Sequence, residues 1–286
     1  FIGGKLELEI LGKADLIIGI GLDPADMLAK PWKLKQPMVL IDRVSNSLEL
    51  FHAESELVGN IGESLSMLTE LLPADHKWSE TVGPEYRRMV SSGLAMPTEG
   101  LAPYRVMEIT RELTPDNVIA VSDSGASKLL LCQVWKSYQP DSFFTSNPLG
   151  TMGFGVPAAI VAKLVHPERP VVALLGDGGF AMRANELETA MEEGVAPVLV
   201  VMNDRTLSLI KVKQVKRQLR VVGSTYEGAY YAKVAEGYGA KGYTVNSEEE
   251  YRAALKEALQ SKVMSVIDAR IDPSKYQAQF DVIREL

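Results

Sequence analysis

The stretch Val171–Asp204, VVALLGDGGFAMRANELETAMEEGVAPVLVVMND, decides the fold. An apolar run ends in Gly176-Asp177-Gly178-Gly179, and a helical pattern follows. Gly194 and Pro197 stop that helix, and a second apolar run ends on Asn203-Asp204. Short apolar runs bounded by turn residues suit strands buried on both faces, as in parallel sheets. The unit is therefore strand–helix–strand, with acidic or amide side chains just past both strand ends. Open parallel sheets bind their ligands at that edge. Glycines beside Asp177 let backbone N–H groups approach an anion closely, and the following helix offers its amino end to the same anion. Asp177 and Asp204, one strand apart, suit a hard divalent cation that takes few protein carboxylates and keeps phosphate oxygens as further ligands. A glycine turn with a helix-capping Asp is the plain alternative, and Gly-Asp-Gly-Gly alone does not separate the two.

The same alternation extends outward from this unit. Helices are predicted over Ala102–Leu113, over a segment ending at Tyr138, and over Pro157–Val165 and Tyr230–Tyr238. Another runs to Leu259 from a capping box of Ser247 and Glu250. Strands are predicted over Val118–Ser122, Lys241–Val245 and Val263–Ala269, with turns at Asp123–Ser127 and Ser146–Gly155. Residues 101–286 thus read as α/β, a doubly wound parallel sheet. Upstream, Ala14–Gly21 and Pro37–Asp42 read as strands. Gly62–Leu72 reads as a helix with Leu65, Leu68, Leu71 and Leu72 on its apolar side. A parallel sheet needs both faces covered, so residues 1–72 read as part of a Rossmann-like domain. Residues 73–100, with Pro73, Pro84 and Pro97, read as a linker holding a short helix over Glu85–Val90. Gly19-Ile20-Gly21 opens like a dinucleotide fingerprint, but Pro24 follows and no third glycine stands at a helix start, so the pattern is incomplete.

The chain has 286 residues, 46% apolar and 23% charged, which are ordinary globular values with material for one large or two medium domains. A net charge of −7 and a pI near 5.2 count against a general nucleic-acid or membrane-surface role. Lys211–Arg220 (KVKQVKRQLR) is a local basic run, either a solvated helix face or a segment near an anionic ligand or active-site flap. Cys132 is the sole cysteine, which excludes an internal disulfide and fits a reducing compartment such as the cytoplasm. It reads as a small buried hydrophobe. His52, His76 and His166 share no metal-ligand spacing. No apolar run reaches the length of a membrane span, and no secretory signal is visible. The start at Phe1, without an initiator Met, reads as a fragment, a processed product or a trimmed chain.

Spacing adds a stronger signal. Gly176-Asp177-Gly178 is followed by Asn203-Asp204, with Asp204 standing 27 positions after Asp177. This resembles the metal motif of thiamine-diphosphate-dependent enzymes, which runs from GDG to a closing NN or ND. The resemblance implies Mg²⁺ held by Asp177, Asp204 and the backbone carbonyl of Thr206, with the metal anchoring the diphosphate. Gly176, Gly178, Gly179, Leu207 and Leu209 fall within the same cofactor-binding segments. A second patch, Asn147–Ala159 (NPLGTMGFGVPAA), is similar to the GLGxMGFGLPAA segment of the acetolactate synthase branch. It implies that Met152 wedges beneath the cofactor and bends it. The Gly150 carbonyl would accept from the 4′-amino group, and the Met152 N–H would meet the pyrimidine ring. Read without the family, Met152 is a core filler in a glycine-rich loop. A third patch, Gly125-Ala126-Ser127, matches the loop that contributes diphosphate donors. Many relatives carry Gln-His or Thr there, and Ser127 is the donor expected here.

The resemblance covers nearly the whole chain. Leu101–Leu286 corresponds to the diphosphate-binding domain and Phe1–Leu72 to the second half of the central Rossmann-like domain. The family's pyrimidine-binding domain carries a glutamate that activates the cofactor, and no segment here matches it. The implied partner is that domain, from an N-terminal half or another chain, in a homodimer or homotetramer with active sites between chains. Alone, the chain is expected to hold the diphosphate end poorly and to catalyse nothing.

Ile210, after Leu209, stands where pyruvate decarboxylases carry a glutamate that helps protonate the intermediate and release aldehyde. Acetolactate synthases are similar to this chain in having an aliphatic pair there. Without that acid a second carbonyl can capture the reacting carbon, so Met152 and Ile210 are the candidate catalytic residues of a carboligase. By periodicity Ile210 fits core packing of an early helix turn equally well. Asn203-Asp204 is similar to the catabolic, FAD-free acetolactate synthases. Lys213-Gln214 stands near where the anabolic branch carries a tryptophan, and Arg43-Val44 departs from its IDxDP pattern. These departures count against the anabolic, branched-chain biosynthetic role, and FAD is a further cofactor that the resemblance allows but does not favour. The implied substrate is a small 2-oxo acid, pyruvate or a relative. Two alternatives stay open: decarboxylase, aldehyde-ligating or acyl-CoA lyase chemistry on the same fold, and a non-catalytic remnant.

Overall fold

The computed structural model describes residues 5–22, 33–46, 51–73, 81–147 and 149–283. Phe1, Pro24, His76, Pro148 and Leu286, named above, lie outside them. The chain divides into two compact units, one formed by Phe1–Gly93 with Val282–Glu285, the other essentially by Leu94–Asp281.

In the first unit, α1 (Lys5–Leu11) precedes β1 (Ile17–Ile20), β2 (Met38–Asp42) and β3 (Ser55–Val58). These strands form a parallel sheet in the order β1-β2-β3, pairing Gly19 with Leu40 and Leu40 with Glu56. Met38, Leu40 and Phe51 are its buried centre. β3 (SELV) carries no apolar run to announce it, and every residue of it is exposed. α2 (Ile61–Leu71) starts from Asn60, whose side chain accepts from the Glu63 N–H at 3.2 Å. Its leucine stripe forms as predicted, yet none of its residues is buried. Ile18, Ile20, Leu57 and Val58 are 42–55% exposed, so the small sheet keeps much apolar surface in water. α3 (Val82–Leu94) is longer than the expected Glu85–Val90. Pro84 reads as a breaker, but it sits in the first helical turn, where a missing N–H costs nothing.

The second unit runs α4 (Pro103–Leu113), β4 (Ile119–Ser122), α5 (Ala126–Val134), β5 (Phe143–Thr145), α6 (Gly155–Val165) and β6 (Val171–Gly176). It continues through α7 (Asp177–Arg183), α8 (Glu186–Glu192), β7 (Val198–Asn203), α9 (Ser208–Lys216) and α10 (Tyr231–Gly237). It closes with β8 (Lys241–Val245), α11 (Glu248–Gln260), β9 (Ser265–Arg270) and α12 (Tyr276–Ile283). All six strands are parallel, in the order β5-β4-β6-β7-β9-β8. The four inner strands are buried almost throughout, as their unbroken apolar runs require. Residues of α6, α7, α8 and α10 cover one face, with Phe180 and Leu187 packed on Val121, Ala173, Leu175 and Val201. Helices α4, α5 and α11 pack on one another and cover the other face. Tyr251 of α11 and Thr110 of α4 share a buried 2.6 Å hydrogen bond there. The sheet is doubly wound, and its strand order reverses between β4 and β6.

Several local expectations need correction. The single helix between β6 and β7 is two, α7 and α8, interrupted at Ala184-Asn185, and α7 begins at Asp177 itself. α5 stops at Val134, short of Tyr138, with Trp135 extended at its end, and Arg111 of α4 lies over the Trp135 and Tyr138 rings at 5.5 and 5.0 Å. The basic run is not one helix face, since α9 ends at Lys216 and Gln218 takes φ +55°. Cys132 is half-buried rather than buried. Half of the capping box forms as expected, with the Ser247 hydroxyl accepting from the Glu250 N–H, while the Glu250 carboxylate accepts from the Asn246 N–H at 2.7 Å instead of that of Ser247. β5 and α12 were not read from the sequence. Among the described residues, no helix is long and apolar enough to cross a membrane.

Candidate functional site

The carboxyl ends of β4, β6 and β7 lie side by side, and the loops leaving them surround a cavity of about 230 Å³. Gly125, Ala126 and Ser127 follow β4, and Gly176, Asp177, Gly178 and Gly179 follow β6. Asp204, Thr206, Leu207, Leu209 and Ile210 follow β7, and the loop before α6 adds Gly150 and Met152. Every residue read from the sequence as a candidate cofactor, metal or catalytic residue therefore lines one cavity, at the reversal of strand order where doubly wound sheets bind ligands. Ser124, Met202, Ser208 and Tyr276 also line it and were not foreseen.

The acidic pair is held by a dense set of donors. Asp177 Oδ1 accepts from the Gly178 N–H at 2.8 Å and the Tyr226 hydroxyl at 2.7 Å. Its Oδ2 accepts from the Arg205 N–H at 2.8 Å. Asp204 Oδ1 accepts from the Thr206 N–H at 2.9 Å, and its Oδ2 from the Ser208 hydroxyl. Burial pushes the Asp177 carboxyl up, against the pull of its hydrogen bonds. Asp204 is pushed up to about 7, by burial first, with the negative charge of Asp177 adding to it and the Ser208 bond opposing it. A buried carboxylate beside a half-buried one, both resisting charge, makes a site that a cation would relieve. The Thr206 carbonyl accepts from the Ser208 N–H at 2.8 Å and keeps its second lone pair. Among the described residues, no three His, Cys, Asp or Glu side chains converge. Two carboxylates and a carbonyl form an all-oxygen, incomplete set, which suits a magnesium-like cation completed by phosphate and water rather than zinc.

The turn between the two acids is strained and braced. Arg205 takes φ +56°, a left-handed conformation unusual for a residue with a side chain. Its N–H reaches the Asn203 Oδ1 at 3.3 Å as well as Asp177. Below it, the buried Asn203 donates from Nδ2 to Asp268 Oδ1 at 2.9 Å, and Arg270 donates to Asp268 Oδ2 at 2.8 Å. Asp268 thus fixes the start of the turn from β9, which no local pattern announces.

Across the cavity, α5 starts from Gly125 at φ +127°, with no side chain capping its first amides. Ser127, in its first turn, is 3% exposed, and its hydroxyl is buried without a hydrogen-bond partner. An unpartnered buried hydroxyl costs free energy, and an anion's oxygen at the α5 amino end would remove that cost. At α7 the expected helix-end site is different, because the Asp177 carboxylate already takes the Gly178 N–H.

Met152 and Ile210 are wall residues, not core filler. Ile210 is 47% exposed and lines the cavity, which removes the core-packing reading. A Cβ on Gly178 would lie 3.2 Å from the Met152 Cε, so the thioether reaches over the glycine beside Asp177. The loop carrying Met152 is anchored by Asp123, a fully buried carboxylate missed in the sequence. It accepts from the Ser124 N–H at 2.7 Å and the Gly153 N–H at 2.9 Å. Its position at the end of β4, in line with Asp177 and Asp204, is the signal that could have found it. Tyr276, buried at the start of α12 and stacked on Phe280 at 5.3 Å, closes the floor.

Comparison with known proteins agrees with this geometry. Residues 123–269 match the family described as thiamine pyrophosphate enzyme, C-terminal TPP binding domain. Acetolactate synthase of Bacillus subtilis (strain 168) is 27% identical over 278 residues, covering 93% of this chain and 48% of that protein. A probable acetolactate synthase large subunit of Methanocaldococcus jannaschii is 31% identical, covering 96% of this chain and 49% of its own length. The catabolic acetolactate synthase of Raoultella terrigena is 26% identical, over 92% and 49%. The chain spans about half the length of these curated relatives.

Proposed function

The chain belongs to the thiamine pyrophosphate (thiamine diphosphate) enzyme family, in its acetolactate synthase-like branch, and we propose that it supplies the diphosphate- and metal-binding half of a carboligase active site. The substrate is a small 2-oxo acid such as pyruvate, which loses CO₂ before its remaining fragment joins a second carbonyl compound. One observation carries the reading: the unpartnered Ser127 hydroxyl at the uncapped α5 start shares a cavity with the Asp177–Asp204 pair.

The oxygen donors fit Mg²⁺, held by Asp177, Asp204 and the Thr206 carbonyl. The Gly125–Ser127 amides and the Ser127 hydroxyl would take the cofactor's phosphate oxygens, and Met152 would support the rest of it. When bound, the cofactor supplies stabilisation for the negative charge left by decarboxylation. Leu209 and Ile210 offer no proton, so at this wall a second carbonyl rather than an acid would meet the reacting carbon. A cavity of about 230 Å³ falls below the roughly 300–1,000 Å³ of complete small-molecule sites. That supports a second wall from a pyrimidine-binding domain, in the rest of the protein or in another chain, within at least a homodimer. FAD has no role in this reading, and the lone cysteine fits the cytoplasm.

The test supplies the complete assembly with thiamine diphosphate, Mg²⁺ and pyruvate, and measures acetolactate against acetaldehyde. Acetolactate is expected. Acetaldehyde alone would make the protein a simple decarboxylase, and absence of any Mg²⁺-dependent thermal shift with the cofactor would make it a remnant.

A further inference from the structure

One polar side chain at the acidic edge has no part in the function proposed above: Tyr226. It lies in residues 217–230, the irregular connection between α9 and α10. Between positions 221 and 230 every residue is exposed except Ser224, which is buried, and Tyr226, which is half-buried. This strap is stitched to the segment leaving β7. The Leu207 N–H donates to the Ser224 carbonyl at 2.7 Å, and the Tyr226 N–H donates to the Arg205 carbonyl at 3.1 Å. Between them, Thr206 and Thr225 form an antiparallel bridge. The same strap then sends the Tyr226 hydroxyl to Asp177 Oδ1 at 2.7 Å.

We propose that Tyr226 is a positioning residue for the divalent cation, fixing the Asp177 carboxylate and tying it to the backbone of Thr206. The inference rests on the metal-binding function proposed above. Asp177 has donors at both ends of its carboxylate, Arg205 at Oδ2 and Gly178 with Tyr226 at Oδ1. The Gly178 amide belongs to the next residue and moves with the Asp177 backbone. Without the phenol, only the backbone amides of the segment leaving β7, Arg205 and Asp204, would hold the carboxylate from outside the β6 loop, and no side chain would. A cation would then have to order a rotating ligand as it binds, and partners that orient metal ligands typically carry about 10- to 100-fold in metal affinity. The ring also fills space, since a Cβ on Gly178 would lie 3.3 Å from its hydroxyl oxygen and 3.2 Å from the Met152 Cε. Tyr226→Phe keeps the ring and removes only the donor.

The test uses Mn²⁺ as the probe, titrated by electron paramagnetic resonance into the complete protein with thiamine diphosphate present. Tyr226→Phe is expected to weaken Mn²⁺ binding about 10- to 100-fold and to alter the hyperfine pattern of the bound ion. Ser224→Ala is the control. It loses a 3.2 Å bond from the Ser224 hydroxyl to Gln214 in the same strap without touching Asp177, and should leave Mn²⁺ affinity unchanged. Unchanged affinity in Tyr226→Phe overturns the positioning role, as does an equal loss in Ser224→Ala, which would mean general loosening of the strap. If the parent protein itself binds no Mn²⁺, the proposed metal site fails first and this inference falls with it.

Discussion

Two neighbouring glycines of α7 should respond to the same methyl group in opposite ways. A Cβ on Gly179 would sit 2.1 Å from Asp123 Oδ2 and 2.9 Å from its Cγ. Asp123 cannot step aside freely, because the Ser124 and Gly153 amides hold its two oxygens at 2.7 and 2.9 Å. Relief of the clash therefore breaks at least one hydrogen bond to a buried charge. Such a bond contributes about 1.5–3 kcal/mol, and the loss also leaves a buried polar group poorly satisfied. Gly179→Ala is thus expected to cost about 3 kcal/mol, at the upper end of ordinary substitutions. At about 2–4 °C per kcal/mol for a unit of this size, its Tm falls by roughly 6–12 °C. A Cβ on Gly178 meets two flexible side-chain ends, Leu207 Cδ2 at 2.7 Å and Met152 Cε at 3.2 Å, and the Tyr226 hydroxyl at 3.3 Å, which needs to give by only a few tenths of an ångström. Moving them is cheap, and alanine in a helix recovers about 0.5–1 kcal/mol over glycine. Gly178→Ala should melt close to the parent while obstructing the cavity beside Asp177. Thermal melts of both variants in EDTA decide the matter. A Gly179→Ala protein as stable as the parent, or less affected than Gly178→Ala, would refute the role given to Asp123.

Further outcomes follow from the same geometry. The raised Asp204 carboxyl binds a proton in the folded state at pH values where the unfolded chain has released it. Asp204 should therefore contribute a fall in cation-free stability of up to about 1.4 kcal/mol per pH unit as pH rises from about 4 towards about 7, beside the smaller falls from Asp177, Asp123 and Asp268, whose carboxyls are also raised. Asp204→Asn should flatten that slope in urea titrations, and an unchanged slope would remove Asp204 as its source. Arg205→Gly relieves a left-handed backbone of about 1–2 kcal/mol strain and should raise Tm if the turn keeps its shape; a lower Tm would show that the Arg205 side chain matters more than its φ. Ser127→Ala removes a partnerless buried hydroxyl, so the unliganded protein should be no less stable while cofactor affinity falls several-fold. Ile210→Glu should divert pyruvate carbon from acetolactate to acetaldehyde, read as the product ratio.

What the sequence showed plainly was whatever depends on local pattern. Val171–Leu175 and Val198–Met202 are strands buried on both faces, and their unbroken apolar runs say so. The spacing from Asp177 to Asp204 carried the site because both acids end adjacent strands of one sheet. Features set by tertiary contact were illegible. Asp123, Asp268 and Tyr226 act by reaching across to other loops, at 30, 65 and 49 positions' separation. Beyond the early end of α5, Trp135 and Tyr138 lie under Arg111 of α4, 24 and 27 positions away in sequence. β3 is paired only through its backbone, with no apolar residue in its first half. Ile210 shows the limit of periodicity: its place in the first turn of α9 fits core or wall, and only its exposure distinguishes them.

The most direct measurement is calorimetric titration of thiamine diphosphate into the complete assembly, with Mg²⁺ or with EDTA, for the parent and for Asp204→Ala. Binding should require Mg²⁺, and Asp204→Ala should lose at least the 10- to 100-fold in affinity that removing even an indirect metal partner typically costs. Equal affinity in EDTA, or an Asp204→Ala protein that retains the cofactor as tightly as the parent, would contradict a diphosphate anchored through metal at this edge.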